Sequence, residues 1–103
     1  MSILSQSSGG SGVQGWTQRS MPTGNWYGVA YGNGAFVAVS YSGNTSATST
    51  DNGVTWTQRS MPTGNWYGIA YGNGAFVAVS SSNNISATST DNGVTWTQRS
   101  MPT

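Results

Sequence analysis

The chain has 103 residues, a net charge of +1, and no Cys, His, Lys or Glu; its charged side chains are Arg19, Arg59, Arg99, Asp51 and Asp91. That inventory excludes disulfide stapling, transition-metal sites built on imidazole or thiolate, and a basic surface for nucleic acid. Neither a cofactor nor a metal is expected.

In chain order, residues 1–15 (MSILSQSSGGSGVQG) have no basic leader and no long apolar run. They read as a flexible tail with a Gly/Ser linker, or as an arm that docks on a neighbouring subunit, and not as a signal peptide or membrane span. Residues 16–23 (WTQRSMPT) match residues 56–63 and 96–103, and so form a partial copy of a longer repeat. Residues 24–63 and 64–103 align without gaps and differ at four places: Val29 against Ile69, Tyr41 against Ser81, Gly43 against Asn83 and Thr45 against Ile85. The chain is therefore organised as a tail, an isolated fragment and two complete repeats.

Each repeat alternates short apolar or β-branched runs with turn residues, which predicts strands and no helix. WYGVAY (Trp26 to Tyr31) is a strand, GNG (Gly32 to Gly34) a tight hairpin turn, and AFVAVS (Ala35 to Ser40) the returning strand. TSATST (from Thr45) is the third strand and VTWTQRS (Val54 to Ser60) the fourth, which completes an antiparallel meander. AFVAVS is apolar on both alternating sets, so both of its faces require cover. TWTQRS has the mixed pattern of an outer strand. Sheets covered on both faces and repeated in tandem describe the blades of a β-propeller.

Between the third and fourth strands lies STDNGVTW, at Ser49 to Trp56 and again, unchanged, at Ser89 to Trp96. It fits S-x-D-x-G-x-x-W at every fixed position and resembles the Asp-box of bacterial neuraminidase-type, sialidase-like repeats. The wider repeat, with WYGIAYGNGAFVAVS before the box, is similar to Asp-box propeller arrays of bacteria and their phages. The resemblance covers residues 16–103 and implies a blade-clasping role for Ser49, Asp51, Gly53, Trp56, Ser89, Asp91, Gly93 and Trp96, away from any ligand face. The residue types suit that role. Ser and Asp can accept backbone N–H groups, Gly can take a positive φ, and Trp offers a large ring to bury.

The sialidases of that family use an arginine triad, a Tyr/Glu pair and an Asp. This chain has no Glu, its two Asp residues sit in the boxes, and its three Arg residues occupy one repeated position on outer strands. No catalytic residue is expected, and the numerous Ser and Thr have no His or Lys to activate them.

Two blades cannot close a ring, so a homo-oligomer is expected to complete it head to tail, with three chains favoured and four next. The fragment at residues 16–23 supplies one outer strand too many. Either it or the terminal copy could complete a blade across the subunit boundary, and their near-identity leaves both open.

Three of the four repeat differences cluster at one rim, near the linker that carries Trp26 and Trp66. Trp26, Tyr41, Asn44, Trp66, Ser81 and Asn84 are the candidate ligand-binding residues there. Aromatic rings beside amides suit glycans, although inter-blade packing is the favoured role for Trp26 and Trp66 and a ligand platform the alternative. The Asn44 and Asn84 matches to the N-glycosylation pattern are discounted as chance in an Asn/Ser/Thr-rich chain. No membrane insertion is expected, and the resemblance favours an extracellular or virion-surface setting. A multivalent binding module and a purely structural or duplicated-blade assembly are the two functional readings.

Overall fold

The computed structural model describes residues 15–102. The tail expected over residues 1–15 lies almost wholly outside them. Among the described residues there is no helix, and eight strands form two separate four-stranded antiparallel sheets in meander order. Sheet 1 holds β1 (Trp26–Gly32), β2 (Ala35–Ser40), β3 (Thr45–Ser49) and β4 (Thr57–Ser60). Sheet 2 repeats it with β5 (Trp66–Gly72), β6 (Ala75–Ser80), β7 (Ile85–Ser89) and β8 (Thr97–Ser100).

The hairpin turn is as the sequence predicts: Asn33 and Gly34 have φ of 50° and 79°, the two positive values that a primed turn needs to follow strand twist. Two details differ from the sequence reading. The fourth strand begins at Thr57, not Val54, because Val54 and Thr55 donate their N–H groups to Asp51 and belong to the turn. Register also shifts between Trp26 and Gly28, which pair with Ser40 and Val39. Tyr27, and likewise Tyr67 in sheet 2, is the extra residue of a bulge, a device that re-aims a side chain.

The sheets stack face to face through opposite faces. Sheet 1 contributes Val37 and Val39, both fully buried; sheet 2 contributes Trp66, Phe76, Ala78 and Ala87, also at 0% exposure. Met61, from the linker between the sheets, is sealed into the same cluster with Ile85, Ile69 and Trp96. Close approach is built in at two places. A Cβ on Gly32 would collide with the ring of Tyr71, and one on Gly93 would lie 3.1 Å from Val37 and 3.0 Å from Thr48. The Asn33 Nδ2 group donates to Asn92 Oδ1 across the joint at 2.9 Å.

The fragment Trp16 to Ser20 forms no strand and is exposed throughout. Trp16 itself is 98% exposed. The outer strand expected there pairs with no sheet edge of its own chain.

Candidate functional site: two turns, a rim and two open faces

Each S-x-D-x-G-x-x-W segment is a closed hydrogen-bonded turn. Ser49 Oγ donates to Asp51 Oδ1 at 2.8 Å and accepts the Gly53 N–H at 2.9 Å. Asp51 Oδ1 accepts the Thr55 N–H at 2.9 Å, and Oδ2 accepts the Thr55 hydroxyl at 2.6 Å. Trp56 Nε1 donates to the Gly53 carbonyl at 3.0 Å. Ser89, Asp91, Gly93, Thr95 and Trp96 repeat the set. Asn52 and Gly53, at φ 63° and 83°, give the turn its left-handed corner. Both oxygens of each carboxylate are engaged inside the turn. Among the described residues no three His, Cys, Asp or Glu side chains gather into a metal-binding group.

Thr55 and Thr95 are the members that sequence reading missed; the signal was a Thr before the Trp in both copies. They hold the carboxyls of Asp51 and Asp91 down to about 2, first through their hydroxyls, with Ser49 and Ser89 adding to the effect. A depressed acid stabilises the fold fully above its unfolded value, near 3.8, and that contribution is lost as pH falls towards about 2. With no His or Cys in the chain, no side-chain type ordinarily titrates between pH 5 and 9. The melting temperature is therefore expected to be flat from pH 5 to 9 and to fall below about pH 4. Asp51→Asn with Asp91→Asn should flatten that acid limb in a thermal-melt series.

At the rim away from these turns, the candidate ligand residues separate. Trp66 is fully buried between the sheets, with Nε1 donating to the Pro62 carbonyl at 2.9 Å, so it packs the joint and has no ring face free for a ligand. Trp26 makes the equivalent bond to Pro22 at 3.0 Å but is only half-buried. Tyr41 is exposed and lies 5.2 Å, centroid to centroid, from the bulge residue Tyr27, which in turn meets Tyr67 edge-on at 6.5 Å. Tyr27 and Tyr67 are the aromatic residues that strand alternation did not pick out as a ligand surface. Beside them Asn25 Nδ2 donates to Ser42 Oγ, and the Tyr41 N–H donates to the Asn25 carbonyl, so the loop is pinned. Asn44, Ser81 and Asn84 are exposed; the carbonyls of Asn44 and Asn84 accept the N–H groups of Met61 and Met101.

The larger feature is the pair of uncovered faces. On the outside of sheet 1, Met21, Trp26, Tyr27, Gly28, Val29, Ala38 and Trp56 line a groove of about 360 Å³. Five of them, Met21, Trp26, Val29, Ala38 and Trp56, are the repeat counterparts of residues that sheet 2 packs against sheet 1: Met61, Trp66, Ile69, Ala78 and Trp96. On the outside of sheet 2, Val77 is 39% exposed where its counterpart Val37 is 0%. Gly72 has nothing within 4 Å of an added Cβ, where Gly32 carries the Tyr71 ring; Tyr31, the counterpart of Tyr71, is exposed. One chain thus displays both halves of its own internal joint, one half at each end.

No family model matches the chain, and no curated protein matches it.

Proposed function

We propose that this is a non-catalytic repeat protein that closes head to tail into a multi-chain β-propeller of Asp-box type and presents a repeated aromatic rim as a multivalent binding surface. The reading is carried by the complementarity of the two open faces. Every contact type made between the sheets has an unused copy. Tyr31 would seat on a neighbour's Gly72 as Tyr71 seats on Gly32, and Gly53 would meet Val77 and Thr88 as Gly93 meets Val37 and Thr48. Because the two faces differ, the contact is head to tail, the kind that generates a ring when its rotation closes. Three chains, giving six sheets, are the favoured count, and four the next.

The rim supplies the binding half of the proposal. Tyr27 and Tyr67 recur once per sheet, exposed and held by a bulge, with pinned Asn and Ser side chains beside them. Flat rings next to amides and hydroxyls are suited to stacking on and hydrogen bonding to a saccharide, and several weak sites on one ring gain avidity.

Native mass spectrometry should give three or four chains per particle; a single-chain mass overturns the assembly. On a glycan array, the oligomer should bind saccharide, and Tyr27→Ala with Tyr67→Ala should lower the signal at least tenfold when compared at concentrations where native mass shows the variant fully assembled. An array silent to the intact oligomer leaves the scaffold reading without a saccharide ligand.

A further inference from the structure

Resting on that head-to-tail reading, we infer that the subunits exchange a strand: Trp16 to Ser20 of one chain replaces β8 as the outer strand of the neighbour's sheet 2.

At the joint inside the chain, the linker after β4 is fixed by two backbone bonds, Met61 N–H to the Asn44 carbonyl at 2.7 Å and Gly64 N–H to the Gly43 carbonyl at 3.1 Å. Met61 is buried, and the Pro62 carbonyl accepts the indole N–H of Trp66. Ahead of sheet 1, Pro22 is held by Trp26 in the same way, and Met21 lines the groove over the open face as Met61 lies over the covered one. A neighbour docking on that face as sheet 1 docks on sheet 2 brings its Asn84 carbonyl to the Met21 N–H and its Asn83 carbonyl to the Gly24 N–H.

The Asn84 carbonyl is already taken. Met101 N–H donates to it at 2.8 Å, and Met101 occupies the place Met21 must fill. Two copies of S-M-P cannot lie along one edge. Met101 is tied to sheet 2 through β8, and Met21 to the docked sheet through Pro22, whose carbonyl Trp26 holds. β8 can peel away without separating the two faces, whereas Met21 is carried into place by docking itself, so Met101 gives way.

Exchange costs no side-chain contact, because residues 16–23 and 96–103 are identical. Carrying the β7 to β8 register across, Ser20, Arg19, Gln18 and Thr17 pair with the neighbour's Ile85, Ser86, Ala87 and Thr88. Trp16, nearly fully exposed at 98%, then gains what Trp56 and Trp96 have: a half-buried ring and an indole bond to a turn glycine, here Gly93. Area favours the same outcome. Two faces of roughly 300 Å² each bury about 600 Å² together, below the roughly 1,200 Å² of a specific stable interface. An exchanged strand transfers the β8 ladder and the burial of one Trp, about 200 Å², from inside sheet 2 to the subunit boundary, so the interface grows while the number of paired strands stays the same.

Position 18 against 87 is a suitable place to test this. Met61 N–H bonding the Asn44 carbonyl makes 61/44 a hydrogen-bonded pair, so by alternation 58/47, and its counterparts 98/87 and 18/87, are non-hydrogen-bonded pairs with Cα atoms about 4.5 Å apart, within disulfide reach. In the full-length chain, Gln18→Cys with Ala87→Cys should oxidise to interchain bonds. On a non-reducing denaturing gel the single-chain band should give way to a ladder ending at the native chain count. Ala87→Cys with Gln98→Cys should stay reduced in the same oligomer. The pairs Ser20→Cys with Ile85→Cys, and Ile85→Cys with Ser100→Cys, repeat the comparison if position 87 does not tolerate change. If the oligomer keeps its native mass but the 87/98 and 85/100 pairs bond within a chain while the 18/87 and 20/85 pairs remain free, exchange is wrong and the ring stands. A single-chain native mass removes both.

Discussion

Val77→Arg is expected to yield a folded monomer where the unaltered chain is proposed to form a ring. Val77 is 39% exposed in the single chain, so a charged side chain there reaches water and leaves sheet 2 intact. In the ring it would take the place that Val37 holds at the internal joint, fully buried against Gly93. An Arg at that place would be a bulky buried charge pressed on the neighbour's Gly53, and the carboxylate of that same turn, Asp51, is already held by Ser49 and Thr55. An uncompensated buried charge costs about 3–5 kcal/mol, which corresponds to a loss of some hundredfold to several thousandfold in association. The identical substitution at Val37 falls on the joint inside the chain and should prevent folding. Light scattering with circular dichroism separates the two. Val77→Arg should lose native mass and keep its β spectrum, and retention of the oligomer by that variant would refute the docking face.

The contrast between Val37 and Val77 also marks the limit of what the sequence discloses. Their repeats are nearly identical, so no local pattern separates a buried Val from an exposed one; the difference is made by which face finds a partner. Strand order, the GNG turn and the doubly apolar β2 and β6 are legible because alternation and turn chemistry are local. The fourth strand is read three residues too long because Val54 to Trp56 has β propensity. Its backbone donors are claimed by Asp51 instead, and that competition shows only once the turn is closed. The bulge at Tyr27 and Tyr67 is hidden for a related reason: one added residue shifts register without altering composition, and it turns an aromatic side chain to the rim.

Two of the four repeat differences gain meaning from the structure. Ile69 and Ile85 belong to the packed internal joint, and the matching positions on the open face are Val29 and Thr45. The joint within a chain is thereby the more apolar of the two, and a joint between chains has less area burial to draw on. Thr45 in place of Ile85 removes about 1–2 kcal/mol of burial. In the proposed ring, inter-chain closure would accordingly depend more on backbone pairing than the internal joint does, and an exchanged strand would supply that pairing.

Trp66→Ala and Trp26→Ala test the same idea from the stability side. Trp66 is the largest fully buried side chain, set among Val39, Met61, Ala78 and Ile85. Its removal should cost about 3–5 kcal/mol. It also leaves the Pro62 carbonyl without its indole donor, at about 1 kcal/mol more. Against the roughly 5–15 kcal/mol that holds a typical domain together, the variant should melt about 15 °C or more below the parent, or fail to fold. Trp26 makes the equivalent bond to Pro22 but sits half-buried over an open groove, so in an isolated chain its loss should cost about half as much. In a closed ring the groove is filled and Trp26 becomes equivalent to Trp66. The two substitutions should then lower the melting temperature equally at concentrations where the ring forms, and diverge on dilution as the Trp26→Ala penalty falls to about half. A difference between the two that dilution does not change would show that Trp26 is never covered by a second chain.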